Sequence, residues 1–210
     1  MRFSPLWFQY LKLFEKSPST LRVKKFDKMN FVIQDMLKFN PREFHWKVHI
    51  ELAQVYDRIG EDQQANEHLE KAILDCPESS KWKLWLIASR IMQNQGYMDE
   101  ARMCVERGCI EAPVKQQSVA LLEYSKYFEM IKDDQRAVQI VKSVTELCKG
   151  EWKVQFEAVM TLVRCGDFDR AEKLCEESLK THFATGRLWA VMVQIQHSKC
   201  KTQKDFDRVQ

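Results

Sequence analysis

The fold is decided by two stretches of 32 residues that follow one another closely in the chain. Residues 46–77 read WKVHIELAQVYDRIGEDQQANEHLEKAILDCP, and residues 82–113 read WKLWLIASRIMQNQGYMDEARMCVERGCIEAP. Both stretches begin with tryptophan, reach glycine at the fifteenth residue and alanine at the twentieth, and end with proline. A sequence that resembles itself at a fixed spacing of this size indicates an array of repeated structural units.

The same pattern continues towards the end of the chain, as the spacing of four alanines shows. They lie 36, 36 and 34 residues apart, at Ala65, Ala101, Ala137 and Ala171. We expect each alanine where two helices cross closely, because only a small side chain fits at such a crossing. Five residues before each alanine stands a glycine, except before Ala137, where the residue is Lys132.

Each repeat divides into two amphipathic segments around a turn. Between Trp46 and Tyr56 the apolar residues recur at separations of three and four, which is typical of a helix with one buried face. Gly60 is predicted to end this helix, because glycine adopts the left-handed conformation of a helix terminus without strain. Asp62 is predicted to cap the next helix, and Asp133-Asp134 are predicted to do so in the repeat that lacks the glycine.

The sequence therefore predicts an all-α fold, a right-handed superhelical array (an α-solenoid) of about five and a half antiparallel helix pairs. The pairs should stack, because no pair can bury its apolar face alone. We expect one helical repeat domain over residues 1–198, with an interruption of the first pair at Ser17-Pro18, and a basic tail or the start of an incomplete helix over 199–210. The units are expected at residues 4–41, 42–77, 78–113, 114–149, 150–183 and, in part, 184–198.

The incomplete last unit should leave apolar residues poorly covered, among them Trp189 and Val193. Such exposure would be typical of a fragment of a longer protein, or of a chain whose end is covered by a partner. In the second case the partner could be another copy of the same chain. Trp189 should then either contact a second copy or stay partly exposed.

The composition excludes several classes of protein. With 45% hydrophobic and 30% charged residues the chain is globular and not disordered. No apolar run approaches ~18 residues, so no membrane span is expected, and the N-terminus does not resemble a signal peptide. Seven cysteines without regular spacing indicate reduced thiols inside a cell. The net charge of +3 is too small to indicate nucleic acid as the partner.

Individual residues carry a family resemblance. The pattern Leu52-Ala53-x-x-Tyr56 with Gly60, Ala65, Leu69, Ala72 and Pro77 resembles the tetratricopeptide (TPR) superfamily. The aromatic-rich stretch Trp82-Lys83-Leu84-Trp85-Leu86 with Asp99-Glu100-Ala101-Arg102 is similar to its half-a-tetratricopeptide (HAT) variant. The variant implies a scaffold in a nuclear RNA-processing assembly for splicing, 3′-end formation or ribosome maturation. The wider superfamily implies the alternative, a cytosolic adaptor for chaperone, transport or mitotic machinery.

The resemblance also implies a binding surface, since the first helices of such repeats line an inner, concave face. Of the twenty residues at these positions seven are basic and two are acidic. We predict a groove for an acidic and apolar peptide or helix of a partner protein, with Arg58, Arg90 and Arg164 directed at carboxylates. The alternative is that exposed helix faces simply carry lysine and arginine. The predicted partner-binding residues are Lys47, Gln54, Arg58, Lys83, Arg90, Asn94, Lys126, Lys153, Phe156 and Arg164.

Other chemistry finds little support in the sequence. His45 and His49 have the spacing of two zinc ligands on one helix, but the glutamate of a zinc protease helix is missing, and we predict packing roles and no metal. Cys165 at a turn could be a reactive thiol. The chain has no glycine-rich phosphate loop and no nucleophile elbow, so we expect neither a cofactor nor an enzyme. The remaining alternative is RNA binding by the same face and by the basic tail Lys199-Lys201-Lys204-Arg208. We disfavour it because bases stack on exposed aromatic rings, whereas the tryptophans recur at packing positions.

Overall fold

The computed structural model shows an all-α chain throughout the part that it describes. That part comprises residues 22–148 and 150–200 together with Gln9 and Lys12, and for residues 22–30 it comprises the helical backbone only. The expected interruption at Ser17-Pro18, most of the expected first helix over residues 5–16, and the tail over residues 201–210 lie outside the described residues. The chain divides into two compact units, Met1–Gly108 (unit 1) and Cys109–Gln210 (unit 2).

Unit 1 contains two complete helix pairs, preceded by a long helix. Within each pair a first helix is followed, after a short turn, by a second helix that runs back along it. The first helix of one pair also contacts both helices of the pair before it. The described helices of unit 1 are α1 (Arg22–Phe39), α2 (His45–Ile59), α3 (Asp62–Asp75), α4 (Glu78–Gln95) and α5 (Met98–Glu111), of which the last three residues belong to unit 2. Its core is formed by fully buried aliphatic side chains, including Met36, Leu52 and Leu84.

Unit 2 repeats this arrangement and adds one further first helix. Here too the first helices of successive pairs contact one another, α6 with α8 and α8 with α10. The described helices of unit 2 are α6 (Gln117–Met130), α7 (Asp134–Leu147), α8 (Trp152–Arg164), α9 (Phe168–Thr181) and α10 (Gly186–Lys199). Short 3-10 turns at Arg42–Phe44 and Val114–Gln116 lead into α2 and α6.

The small residues that define the repeat occupy the positions predicted for them. All four repeat alanines are completely buried, at 0% exposure. The hydroxyl of Ser89 in α4 donates a hydrogen bond of 2.8 Å to the carbonyl oxygen of Ala101 in α5, which shows how closely these two helices approach. The prediction that alanine marks the helix crossings is therefore confirmed.

The turns between paired helices also follow the prediction, with one informative exception. Gly60, Gly96 and Gly166 have φ angles of 77°, 88° and 76°, in the left-handed region. Lys132 stands at the same position without being glycine, and it adopts the same conformation, with a φ of 63°. The repeat thus imposes the turn even where the residue disfavours it.

The predicted helix caps are correct at one turn and wrong at the other. The carboxylate of Asp133 accepts a hydrogen bond of 3.2 Å from the backbone N–H of Arg136, so it caps α7 as expected. Asp62, in contrast, is the first residue of α3, and the preceding Glu61 makes no side-chain cap. The carboxylate of Asp62 lies in the first helical turn instead, where the positive end of the helix dipole favours a negative charge.

The last described helix presents an apolar surface. Trp189 is 51% exposed and Val193 is 59% exposed, which confirms the expectation that they are poorly covered among the described residues. The indole N–H of Trp189 donates to the carbonyl oxygen of Phe183 at 2.7 Å, which fixes the ring across the start of α10. None of the helices in the described ranges combines the length and the apolar character that crossing a bilayer requires.

Candidate protein-binding face

The predicted site residues of unit 1 lie on the two first helices α2 and α4, which contact each other. We call this surface the unit 1 face and define it by Lys47, Gln54, Arg58, Lys83, Arg90 and Asn94. Arg58, Lys83, Arg90 and Asn94 are exposed, whereas Lys47 and Gln54 are half-buried. The structure therefore brings these six residues onto neighbouring helices of one unit.

A hydrogen bond across the unit 1 face joins the two helices. The amide of Asn94 in α4 donates to the carboxylate of Asp57 in α2 at 2.7 Å. Burial raises the pKa of Asp57, and the hydrogen bond from Asn94 acts in the opposite direction. Asn94 was predicted as a ligand contact, but its amide is engaged in holding successive first helices together.

The lysines at the start of the first helices lie beside aromatic rings. The Lys47 ammonium is 4.9 Å from the ring centroid of Phe44, and that of Lys83 is 5.3 Å from the ring of Trp82. In unit 2 the Lys153 ammonium is 5.9 Å from the ring of Trp152. Such contacts contribute roughly 0.5–1 kcal/mol at exposed sites and orient the ammonium groups.

The tryptophans themselves belong to the packing of the repeats. Trp82 is buried, at 5% exposure, and Trp46 and Trp152 are half-buried. Bases of single-stranded nucleic acid stack on exposed aromatic faces. These three rings do not offer such a platform, in agreement with the assignment of the tryptophans to packing positions.

The predicted site residues of unit 2 lie on α6 and α8, and two of their basic groups, Lys126 and Arg164, form ion pairs with carboxylates of this chain. The Arg164 guanidinium in α8 forms a forked ion pair with Glu129 in α6, and its Nη2 is 3.1 Å from Oε1. This hydrogen bonding raises the pKa of Arg164. The Lys126 ammonium lies 3.1 Å from Glu123 and 3.5 Å from Glu157. Arg164 was expected to bind a carboxylate of a ligand, and in the structure it binds a carboxylate of this chain.

The two inter-helix pairs occupy equivalent places in the repeat. Asp57 and Glu129 each stand eight residues before the alanine of their own repeat. Their partners, Asn94 and Arg164, each stand seven residues before the alanine of the following repeat. The sequence shows the charge at each position but not that the two positions face each other. Pairing a residue of one repeat with the adjacent position of the next would have revealed the contact.

Several apolar residues of the first helices lie in the interior of the units. The positions fifteen residues before the repeat alanines, Ile50, Leu86 and Leu122, are buried at 7%, 7% and 6% exposure and belong to the cores of the units. Phe156 is half-buried and packs against the core of unit 2.

The two units differ in the electrostatics of their first-helix faces. In unit 1 four basic residues, Lys47, Arg58, Lys83 and Arg90, share the first helices with the carboxylates of Glu51 and Asp57. In unit 2 the three basic residues Lys126, Lys153 and Arg164 share the surface with Glu123, Glu129 and Glu157. Positive charge is therefore concentrated on the unit 1 face, and unit 2 is close to balance.

The histidines of unit 1 form a packed pair between α2 and α3. Nδ1 of His49 is 2.9 Å from Nδ1 of His68, and the His68 ring stacks on Tyr56 with centroids 5.4 Å apart. Burial lowers the pKa of both rings, that of His68 to about 4. His45, at the start of α2, bonds the carbonyl oxygen of Asn40 at 3.0 Å. Within the described residues no group of three or more histidine, cysteine, aspartate or glutamate side chains is placed to hold a metal ion.

The cysteine that could have been reactive has a suppressed thiolate. Cys165 is half-buried at the turn after α8, and burial is the main cause that raises its pKa to about 11. Cys175 is fully buried, has a pKa raised in the same way to about 11, and its thiol donates to the carbonyl oxygen of Leu188. Because the thiolate is the nucleophile, neither thiol is prepared for covalent chemistry at neutral pH.

Paired helices with small residues at their crossings define a TPR-type repeat protein. This type of fold is typically a scaffold without enzymatic activity, and it typically binds other proteins or peptides. The model of the family described as "PRP6, TPR-like domain" matches residues 1–210. The chain therefore belongs to the PRP6 TPR-like domain family, in agreement with the resemblance found in the sequence.

Relatives of known sequence or structure agree with this assignment. A TPR-containing protein of Dictyostelium discoideum is 32% identical over 198 residues, which is 94% of this chain and 15% of that protein. The chain thus spans only a small part of the length of this relative. Among solved structures, TPR-like repeats from Podospora anserina align with a TM-score of 0.58 and 16% identity, over 84% of this chain and 93% of theirs. PilF of Pseudomonas aeruginosa aligns with a TM-score of 0.58 and 14% identity, over 97% and 86%. At these identities the structures support the fold alone.

Proposed function

We propose that this chain is a non-enzymatic protein-binding scaffold in a nuclear RNA-processing assembly, most directly one that acts in splicing. The family assignment supports the type of assembly. The observation that supports the binding surface is the concentration of basic side chains on the unit 1 face. The ligand is a segment of a partner protein that carries carboxylates and apolar residues.

The chemistry of the unit 1 face favours such a ligand. Arg58 and Arg90 carry planar guanidinium groups, which match carboxylates with two parallel hydrogen bonds. Half-buried Gln54 lies on the same helix as Arg58 and offers an amide for a peptide backbone. The Asp57–Asn94 hydrogen bond holds α2 and α4 together, so the surface is organised before the ligand arrives. Affinity should fall as salt is added, because screening acts over about 8 Å at physiological ionic strength.

The experiment compares a face variant with a charge-matched control. Lys83→Glu combined with Arg90→Glu reverses two exposed charges on the unit 1 face. Lys71→Glu combined with Lys180→Glu reverses two exposed charges on second helices. Both double variants should keep the fold, because changes of exposed charges usually cost under ~1 kcal/mol. Tagged full-length chains are expressed in cells, and co-purifying proteins are quantified by mass spectrometry.

The proposal predicts that RNA-processing proteins co-purify with the wild type and the control and are lost with the face variant. Loss with the control but not with the face variant would place the binding surface elsewhere. Enrichment of chaperone, transport or mitotic proteins in place of RNA-processing proteins would favour the cytosolic adaptor. Co-purification that disappears after ribonuclease treatment would favour RNA as the direct ligand.

A further inference from the structure

Residues 204–210 repeat the sequence with which the second helices of unit 2 begin. Residues 205–208 read DFDR, and so do residues 167–170 at the start of α9. Lysine and aspartate stand together at 204–205, as they do at 132–133 before α7, and in all three places an arginine follows three residues after the aspartate. The next residue is a repeat alanine in the two earlier places and Val209 in the last.

In the two earlier places this sequence caps the helix. The carboxylate of Asp167 accepts a hydrogen bond of 3.2 Å from the backbone N–H of Arg170, and the Arg170 guanidinium lies 3.3 Å from the same carboxylate. Asp133 and Arg136 make the same two contacts, both at 3.2 Å, at the start of α7. Such a cap stabilises a helix because it satisfies a backbone N–H group that has no partner within the helix. Residues 205–208 therefore carry the residue types and the spacing that begin a second helix in this unit.

The charges of the same segment do not make it a basic arm. Lysine and arginine at 204 and 208 are balanced by the aspartates at 205 and 207, so the side chains of residues 204–210 have no net charge. Binding to a nucleic-acid backbone rests on lysine and arginine that neutralise phosphates, and carboxylates beside them oppose it. The segment thus fits a helix start better than a contact with RNA.

The end of α10 is held where such a helix would have to begin. The Lys199 ammonium lies 2.7 Å from Asp169 and 2.6 Å from Glu172, both near the start of α9. The chain therefore leaves α10 beside the start of α9. Residues 200–204 separate α10 from Asp205, and connections of about two to eight residues are usual between neighbouring helices.

The side of α10 that would receive the helix is apolar and uncovered by the described residues. α10 packs on α8 and α9 through its buried side chains Leu188, Val191 and Ile195. Val193 points away from these contacts and is 59% exposed.

The contact between α4 and α5 indicates which residues would meet. Ser89 lies six residues before the end of α4, and its hydroxyl bonds the carbonyl oxygen of the repeat alanine Ala101. Val193 lies six residues before the end of α10, and Val209 stands at the alanine position. Two valines need more room than serine and alanine, and the axes of packed helices are about 8–10 Å apart depending on the side chains between them. The connection after α10 is longer than the two residues between α8 and its following cap, which allows the wider separation.

We propose that residues 205–210 begin a second helix that docks on α10, with Asp205 as its cap and Val209 packed on Val193. Six helical residues extend about 9 Å, so the segment covers Val193 and does not reach Trp189, one turn earlier. The exposed side of α10 is thus a docking surface for a segment of this chain. It makes α10 the first helix of a sixth pair.

The test measures disulfide formation between paired cysteines in the full-length chain. Val193→Cys is combined with Val209→Cys and, as a control, with Asp207→Cys, because Asp169 at the equivalent position of α9 is exposed. Linked peptides are quantified by mass spectrometry during mild oxidation. The 193–209 pair is also measured with Asp205→Ala, which removes the cap, and with Asp207→Ala, which removes the same charge without removing the cap.

The 193–209 link should form roughly tenfold faster than the 193–207 link, because a disulfide needs side chains that face each other. Asp205→Ala should slow the 193–209 link about fivefold, and Asp207→Ala should slow it much less. Equal rates for the two links would overturn the proposal, as would equal effects of the two alanine variants. An affinity for random single-stranded RNA that is lost on removal of residues 204–210 would identify a nucleic-acid arm and would also overturn it. None of these measurements involves a partner protein, so their outcome is independent of the unit 1 face.

Discussion

Replacing Lys132 by glycine should stabilise the protein. Lys132 is exposed and has a φ of 63°, the left-handed conformation that its three counterparts reach as glycines. For a residue with a Cβ atom this conformation costs about 1–2 kcal/mol, and glycine itself costs roughly 0.5–1 kcal/mol in additional chain entropy. The difference leaves an expected gain of about 0.5–1 kcal/mol in the free energy of unfolding.

The opposite substitution supplies an internal check. A Cβ atom at Gly96 would meet no other atom within 4 Å, so Gly96→Ala tests the backbone conformation and not a clash. It should destabilise the protein by about 1 kcal/mol. Gly186 is equally uncrowded and is not among the glycines with positive φ, so Gly186→Ala is the matched control and should stabilise the protein by about 0.4–1 kcal/mol through the lower entropy of its unfolded chain.

Urea unfolding of the full-length chain, followed by circular dichroism, measures these effects. The midpoint should rise for Lys132→Gly and Gly186→Ala and fall for Gly96→Ala, with an unchanged slope in each case. A Lys132→Gly protein that is no more stable than the wild type would refute the reasoning that the repeat holds this lysine under backbone strain.

Three further predictions concern the interior. Ala101→Leu should destabilise the protein by roughly 1–3 kcal/mol, because the site is fully buried. Ala190→Leu, on the exposed side of α10, should leave the stability unchanged. Equal melting temperatures for the two variants would contradict the placement of Ala101 at a close helix crossing. Acidification from pH 6.5 towards pH 4 should reduce the free energy of unfolding, because His68 binds a proton in the unfolded chain but, with its pKa of about 4, not in the folded one. The urea midpoint should therefore fall from pH 7.5 to pH 5, and it should fall less in the His68→Gln variant. Cys165, with a pKa of about 11, should react with iodoacetamide at pH 7.5 far more slowly than a free cysteine, and rapid labelling seen by mass spectrometry would show that its thiol is not suppressed.

The fold could be predicted from the sequence because its determinants are local and periodic. The alanine spacing marks the helix crossings, and each turn glycine lies at a fixed distance from its alanine. Even Lys132, which broke the glycine pattern, adopts the turn that its position in the repeat requires.

The surface could be predicted only in part because its contacts join distant residues. Asp57 and Asn94 are 37 residues apart, and Glu129 and Arg164 are 35 apart, so neither pair is visible within one helix. Counting charges on the first helices found the basic side chains and two carboxylates, Asp57 and Glu129, but not the contacts that these carboxylates make.

Site-specific photo-crosslinking tests the central claim, that partners bind the unit 1 face, most directly. A benzoylphenylalanine is placed at Gln54 on that face and, in a separate protein, at Lys71 on the second helix α3, and crosslinks are induced in cells. The proposed scaffold function predicts covalent partner adducts from position 54 that weaken in the Lys83→Glu, Arg90→Glu background, and few from position 71. Adducts that form from position 71 and not from position 54 would contradict it.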